Sequence, residues 1–447
     1  MTEVVDADAL KKLTGAIRHL DAARARQLVA AFTRPAVAGE GGVAFDRDDP
    51  VTGATHGCVT LEQPLGAGCS AAVVGHFKTH LHLHGLERLP LSVARELARH
   101  RGHLYLDRLA TITPTVAAEL AAHAGGGISL DNIRRLPATV AAALGRHGGE
   151  LSLNGVARLD AAAALGLARH THRLDLDGLA RLSPRAGAAL SRHSGDLFLA
   201  GLTRLSGRVA RHLARHRGQI HLHGLTELTD AAAAALGGRT GYLCLSRVRR
   251  LTPPQAAALA RQTGPLHLYA VDVTDAVAEC LGSHTGALMI QVSDDLPLHR
   301  LESLAHHRGP LAINGLETLD ERRAAVLAAQ PFRHGVAGLS GLFIDAVERI
   351  TPAVAAILAT HRAGELSLRG VKLLTEDLAA ALVRHPLLAL DGVQSVTDRV
   401  AAILAAHSGG VLSLRGLERA SPRALAWLRE NPGIDLPRRL REPVTDR

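Results

Sequence analysis

A pair of leucines separated by one residue, or a close variant of that pair, recurs along the chain at a nearly constant interval. The pattern begins at fifteen positions, the first at Leu81 and the last at Leu412. Of the fourteen steps between them, thirteen are 22 to 24 residues long and one is 31. A fixed period in this range is typical of repeat proteins, in which each unit packs only against its neighbours. The repeat therefore constrains the fold more than length or composition does.

The unit that begins at Leu104 is a template for the others. Leu104 and Leu106 alternate with polar or aromatic residues, as in a strand with one buried side. Thr113 precedes a proline, which is typical of a helix N-terminus. Ala117 and Leu120 then lie on one apolar helical stripe. A glycine follows the helix, and we expect it to adopt the left-handed conformation. Each unit is thus predicted to form a strand, a turn and a short helix.

One such unit cannot bury both its strand and its helical stripe, so the units are expected to stack. Successive strands then pair in parallel, which predicts an α/β solenoid with a parallel β-sheet on one face and short α-helices on the other. We expect an N-terminal cap of helices and loop over 1–58, the repeats over 59–436 and a C-terminal tail over 437–447. The 31-residue step predicts a loop insertion near 331–341.

The strand leucines and the period resemble those of the leucine-rich-repeat family over about 59–436. That family usually places Asn or Cys three residues after the second strand leucine. Here the position is apolar, so the usual asparagine ladder is absent. The residues at that position in six units are Leu86, Leu109, Ile133, Val156, Leu179 and Leu202. The resemblance implies a binding scaffold whose ligand surface is on the strand side, and it implies no reaction.

Composition narrows the class of protein. The chain is 47% hydrophobic and 21% charged, which is typical of a globular protein. Its four cysteines are too few and too scattered for a disulfide scaffold. The N-terminus has no apolar segment typical of a secretory signal, and no apolar run is long enough to span a membrane. These features predict a cytoplasmic protein that does not associate with membranes.

We define the strand face as the side chains just before, between and just after the two strand leucines. If the leucines point inward, these side chains point toward solvent. The strand face contains five of the ten aromatic residues of the chain, together with several histidines. Exposed aromatic side chains suit contacts with a protein partner. The predicted partner-binding residues are Tyr105, Phe198, His221, Tyr242, His267, Tyr269 and Phe343. The same aromatics also fit an alternative in which they only pack on one another.

Two groups of His and Cys on the strand face are candidate metal ligands. Thiolate and imidazole groups bind Zn²⁺ when several of them converge. The first candidate group consists of Cys58, His80, His82 and His103, and the second of His221, Cys244 and His267. Neither group has the spacing of a known zinc motif, and both also fit polar contacts to a partner or a surface that becomes positively charged at low pH.

Eleven of the 26 histidines fall at the ends of the predicted helices. Imidazole groups there are expected to meet the last helix carbonyls and the negative end of the helix dipole. We therefore predict a structural role for this set. Its members are His100, His123, His147, His170, His193, His216, His284, His307, His361, His385 and His407.

Net charge is +9, and arginine recurs in the turn after the strand. Four consecutive units are predicted to align their arginines along one edge, at Arg135, Arg158, Arg181 and Arg204. Such an edge is an alternative binding surface for nucleic acid or another polyanion, and it also fits an ordinary solvated edge.

No nucleotide-binding glycine loop and no nucleophile elbow occur, and the acidic residues are dispersed. We therefore expect a non-enzymatic scaffold that needs no cofactor.

Overall fold

The computed structural model of the chain describes residues 21–23, 25–26, 58–60, 80–83, 85–269, 271–331, 341–361 and 364–441. The chain divides into two compact units, Met1–Gly224 and Leu225–Arg447. Most of the predicted N-terminal cap and nearly all of the predicted insertion lie outside the described residues. In both units strands alternate with short helices, as the repeat predicts.

The first unit contains eight strands and six helices whose bounds are described, besides helical residues at 22–23 and 25–26. The strands are β1 (Cys58–Thr60), β2 (His80–His82), β3 (Leu104–Tyr105), β4 (Ile128–Ser129), β5 (Leu151–Ser152), β6 (Leu174–Asp175), β7 (Leu197–Phe198) and β8 (Ile220–His221). The helices are α1 (Leu91–Leu97), α2 (Pro114–Ala121), α3 (Ala138–Leu144), α4 (Ala161–Leu167), α5 (Pro184–Leu190) and α6 (Gly207–Leu213).

The described part of the second unit contains nine strands and ten helices. The strands are β9 (Leu243–Cys244), β10 (Leu266–Leu268), β11 (Leu288–Gln291), β12 (Leu311–Asn314), β13 (Gly341–Phe343), β14 (Glu365–Ser367), β15 (Leu387–Ala389), β16 (Val411–Ser413) and β17 (Ile434–Asp435). The helices are α7 (Asp230–Leu236), α8 (Pro253–Ala260), α9 (Asp275–Gly282), α10 (Leu298–Ala305), α11 (Glu321–Ala328), α12 (Pro352–Leu358), α13 (Glu376–Leu382), α14 (Asp398–Ala405), α15 (Pro422–Glu430) and α16 (Arg438–Arg441).

Within each unit every strand pairs in parallel with the next strand in sequence, and the repeat sets the register. In the first unit Leu104 is opposite Ile128, and in the second Leu288 is opposite Leu311. The strand leucines are fully buried, as predicted, and the apolar helical stripe packs over them. The predicted α/β solenoid of leucine-rich-repeat type, with a parallel sheet on one face and short helices on the other, is confirmed.

The helix N-termini also form as predicted. The Thr113 hydroxyl accepts a hydrogen bond from the Val116 N–H at 3.2 Å, and Pro114 occupies the first turn. Ser or Thr caps followed by proline recur at α5, α8, α12 and α15.

The expectation that a left-handed glycine ends each helix was wrong for the template unit. Among the described glycines, positive φ occurs at Gly315, Gly341, Gly364 and Gly409. Gly125, which follows α2, is needed for a different reason. A Cβ at this position would lie 2.5 Å from the carbonyl oxygen of Arg101, so only glycine allows neighbouring repeats to approach this closely.

The segment predicted as a C-terminal tail begins with helix α16. The Arg439 guanidinium donates to the carbonyl of Leu417 at 3.2 Å, and the carbonyl of Leu440 accepts from Arg429 at 2.8 Å. The described part of this segment therefore packs on the last repeats.

Candidate functional site

The strand face follows directly from the two-residue alternation of the strands. In the unit of β3, Leu104 and Leu106 are fully buried, whereas His103, Tyr105 and Asp107 keep part of their surface exposed. The exposure of the predicted contact residues nevertheless differs greatly from one strand to another. The neighbouring side chains on the face account for most of that difference.

Tyr105 is held between two histidines in the first unit. Its ring stacks on His82 of β2, with centroids 3.9 Å apart, and on His103, with centroids 4.4 Å apart. His103 Nδ1 also accepts a hydrogen bond from the Gly127 N–H at 3.2 Å. Tyr105 remains partly exposed, so this predicted contact residue lies at the surface within an ordered aromatic stack.

Phe198 lies in a second stack of the first unit. Phe198 is on β7, and the Arg173 guanidinium lies 4.1 Å from the centroid of its ring. The imidazole of His221 on β8 stacks on the same ring, with the two centroids 3.9 Å apart. Arg173 also donates to Asp175 at 2.9 Å, and His221 Nδ1 lies 3.2 Å from Nε2 of His223. These contacts leave little of the phenylalanine ring open to solvent.

The expected exposure was wrong for three predicted contact residues. Phe198 and Phe343 are only 8% exposed and His221 only 5%. Adjacent parallel strands lie about 4.8 Å apart, so side chains at equivalent positions cover one another. For these residues the alternative of mutual packing describes the structure better than an open contact surface does.

In the second unit Tyr242, Cys244 and His267 form a hydrogen-bonded cluster. The Tyr242 hydroxyl and the Cys244 thiol lie 3.0 Å and 3.6 Å from Nδ1 of His267. Cys244 is fully buried and also contacts the Ser246 hydroxyl at 2.8 Å. Burial raises the pKa of the Cys244 thiol and that of the Tyr242 hydroxyl, so both groups keep their protons at neutral pH.

Tyr269 has the most open aromatic ring on the strand face among the described residues. It is 47% exposed, and its ring contacts His267 edge to face at 5.5 Å. It borders an open cavity of about 470 Å³ whose walls come from four consecutive repeats. The cavity is lined by Tyr269, Gln291, Asn314, Gly315, Glu317, Asp345, Ala346 and Glu348.

The sequence reasoning found Tyr269 but missed the rest of this cavity. Gln291 and Asn314 end strands β11 and β12, at the strand-face position just after the second strand leucine or isoleucine. Val411 was also missed. It precedes the first leucine of its repeat on β16 and is 50% exposed. An apolar residue at a strand-face position was the available signal for Val411.

The predicted metal sites gain no support from the side chains that are described. Within these residues no three His, Cys, Asp or Glu side chains converge as metal ligands. Strand pairing places Cys58 opposite His80, but their side chains lie outside the described residues. His82 and His103 both stack on Tyr105 instead. In the second group, burial keeps the Cys244 thiol protonated, which disfavours it as a ligand.

A ladder of carboxylate and amide side chains links repeats on the strand face, and sequence reasoning missed it. Asp131 Oδ1 accepts from the Ser152 hydroxyl at 2.6 Å and from the Asn154 N–H at 2.8 Å. Asn154 Oδ1 in turn accepts from the Asp177 N–H at 2.8 Å. This ladder lies two residues before the position at which the family carries its asparagine. Asp or Asn recurring one residue after the second strand leucine was the available signal.

The eleven histidines at the helix ends are buried, and their role is structural, as predicted. For several of them the partner is a carbonyl at the end of the preceding helix, as at His284, whose Nδ1 lies 3.3 Å from the carbonyl oxygen of Ala260 at the end of α8. The two ring nitrogens of His170 each lie 3.1 Å from a carbonyl oxygen, those of His147 and Arg173. Rings of consecutive units are close, with the His170 and His193 centroids 5.6 Å apart. We call this buried set the histidine column.

Burial disfavours the charged form of several histidines in the column. Desolvation, reinforced by neighbouring imidazoles, lowers the pKa of His123 and His193 to about 3 and that of His147 and His307 to about 4. These four rings are therefore uncharged at neutral pH.

The arginine edge lies in the first unit. Its four residues occupy the same turn position in consecutive repeats, and all four side chains are exposed. The geometry matches the predicted alignment, and polyanion binding there stays a prediction. The residues are Arg135, Arg158, Arg181 and Arg204.

None of the described helices has both the length and the apolar character needed to cross a membrane.

No protein-family model matches the chain, and no curated protein matches it. Among solved structures, an internalin from Listeria monocytogenes aligns at 16% identity and a TM-score of 0.39, over 66% of this chain and 82% of its own. A leucine-rich-repeat protein from Leptospira interrogans aligns at 16% identity and a TM-score of 0.36, over 80% and 94%. A chain of the Toll–Spätzle complex from Drosophila aligns at 13% identity and a TM-score of 0.34, over 80% and 46%. Because all three TM-scores are below 0.5, the fold assignment rests on this chain's own repeat and strand pairing.

Proposed function

We propose that this protein is a non-enzymatic scaffold that binds a protein partner through the strand face of its second unit. The observation that carries the proposal is the open Tyr269 ring beside the 470 Å³ cavity. A rigid aromatic side chain at the rim of a concave site is typical of residues that contribute most to protein binding. The Tyr269 ring already contacts His267, so less conformational entropy is lost when a partner binds.

The charge around the cavity favours a protein over a nucleic acid at this surface. Glu317, Asp345 and Glu348 contribute carboxylates to its walls, and these would repel a phosphate backbone. An apolar contribution comes from the same unit, where the half-exposed Val411 lies opposite Leu387 of the neighbouring strand.

The test is capture of partners from cells of the source organism with the full chain as bait, followed by mass spectrometry. We expect a defined partner that binds the native protein and whose recovery falls at least tenfold with Tyr269→Ala. The physical reason is the loss of a large aromatic contact at the centre of the interface.

Leu165→Ala is the matched control. Leu165 is 49% exposed but lies on helix α4, so its removal deletes a similar exposed apolar surface away from the strand face. Both variants should keep the circular dichroism spectrum of the native protein. A partner lost with Leu165→Ala and retained with Tyr269→Ala would contradict the proposal.

A further inference from the structure

The cavity beside Tyr269 has a specific set of polar groups. The amides of Gln291 and Asn314 end adjacent strands, and Glu317 lies in the turn after the second of them. Oε1 of Gln291 is buried and accepts no hydrogen bond within the described residues. The walls therefore offer acceptors of two kinds, amide and carboxylate, next to an open aromatic ring.

The carboxylates of the cavity differ in how far they are already neutralised. Glu348 is paired with Lys372 at 2.5 Å, and Arg369 lies 4.0 Å from Asp345. Asp345 also accepts from the Ser367 hydroxyl at 2.6 Å, so its role is partly structural. For Glu317 no ion pair is formed among the described residues, and its side chain is exposed. A bound cation would therefore find its counter-charge at Glu317.

The hydrogen-bond acceptors and the aromatic ring together favour a planar cation with several N–H donors. A guanidinium group is planar, carries five N–H donors and stacks on aromatic rings. Tyr269 offers the ring, while Gln291, Asn314 and Glu317 offer acceptors from two neighbouring repeats. A bare metal ion fits poorly, because no three carboxylate, imidazole or thiol groups converge within the described part of the chain. A lysine ammonium is a compact point charge and has no planar face to stack on Tyr269.

We propose that this cavity binds an arginine side chain of the protein partner. The guanidinium stacks on Tyr269, forms its ion pair with Glu317 and donates to the amide oxygens of Gln291 and Asn314. This inference deepens the proposed function, on which it rests, by naming the chemistry that the partner must present.

The probe is the blocked tripeptide acetyl-Gly-Arg-Gly-amide, titrated against the full chain and followed by saturation-transfer difference NMR. The neutral isostere with citrulline in place of arginine is the ligand control. We expect arginine to bind at least fivefold more tightly than citrulline and lysine to lie between them. Tyr269→Ala should weaken arginine binding at least fivefold and Glu317→Gln at least threefold.

Two control variants separate recognition from a general loss of structure. Tyr269→Phe keeps the ring and should retain arginine binding within twofold. Glu321→Gln removes an exposed carboxylate in the first turn of α11 and should have no effect. Equal binding of the arginine and citrulline peptides, or unchanged binding by Tyr269→Ala and Glu317→Gln, would overturn the inference. If Tyr269→Ala still abolished capture of the partner in that case, the protein-binding function would stand without arginine recognition.

Discussion

The buried position at the helix ends is occupied differently in the two units. In the first unit six consecutive repeats all place histidine there, from His100 to His216. In the second unit the histidines are interrupted by other residues at the equivalent position, namely Arg239, Gln262, Gln330 and Asn431. The three amides make the same kind of contact, since Gln262 donates to the Gly241 carbonyl, Gln330 to the Gly309 carbonyl and Asn431 to the His407 carbonyl, each at 2.8 Å.

This difference shows what the position requires. Where the side chain at this position is hydrogen-bonded to the preceding repeat, as at His170, Gln262 and Gln330, a side-chain nitrogen lies beside a backbone carbonyl, and an amide or a neutral imidazole can supply it. Only the imidazole titrates near neutral pH. The first unit therefore has buried imidazoles that resist protonation in consecutive repeats. In the second unit amides replace the imidazole in several repeats.

The strand faces of the two units differ as well. In the first unit Phe198 is covered by Arg173 and His221, and Asp131 belongs to the ladder between repeats. In the second unit Tyr269 is open and the Asn314 amide lines a cavity. Similar residue types therefore support the fold at some positions of the strand face and remain available for binding at others.

The largest effect is expected from acidification. His123, His147 and His193 of the column have a lower pKa in the folded state than the value of about 6.5 in an unfolded chain, so the unfolded state binds protons first as pH falls. Their contribution to the free energy of unfolding is complete above pH 6.5 and is lost as the pH falls from about 6.5 to between 4 and 3. A shift from 6.5 to about 4, as for His147, corresponds to about 3 kcal/mol. Several such residues together rival the whole stability of a typical domain.

We therefore expect the first unit to lose hydrogen-exchange protection at a higher pH than the second, measured by mass spectrometry from pH 7 to 4. His147→Gln, which copies the amide of the second unit, should move unfolding of the first unit to lower pH. His306→Gln replaces an exposed histidine and serves as the control. Loss of protection in both units at the same pH, unaffected by His147→Gln, would contradict this interpretation.

An intermediate effect is expected from the aromatic residues. Phe198→Ala removes a buried ring and should lower the free energy of unfolding by about 3 kcal/mol. Tyr269→Ala removes a half-exposed ring and should cost less than about 1 kcal/mol. Urea unfolding followed by circular dichroism measures both changes. Equal costs would mean that Phe198 and Tyr269 are equally covered by their neighbours, and the contrast between the two positions would fail.

The smallest effect is expected from the polar residues of the strand face. Asp131→Ala leaves the Asn154 N–H and the Ser152 hydroxyl without their acceptor, and should cost about 1 to 2 kcal/mol. Asn314→Ala should cost less than about 0.5 kcal/mol, since that side chain faces the cavity. Asp131→Asn keeps an acceptor and should recover part of the loss in the same urea experiment. If Asn314→Ala lowered the free energy of unfolding as much as Asp131→Ala does, the distinction between a structural ladder residue and an open cavity residue would not hold.

Much of the fold was predictable because it depends on local periodicity. The spacing of Leu104 and Leu106 predicted the buried side of the strand, and the Thr113–Pro114 pair predicted where α2 begins. The candidate site was predicted only in part. Tyr269 was identified as a contact residue, but Gln291 and Glu317 belong to different repeats, and no motif connects them in sequence.

The sequence by itself determined the register of the solenoid. A constant period brings equivalent residues side by side, and the alternation of a strand decides which of them point away from the core. Only the tertiary structure decided which of those outward side chains remain open. Exposure on this surface depends on the pair of residues in adjacent strands, about 4.8 Å apart. Phe198 lies between partners that cover its ring, whereas Tyr269 borders a cavity.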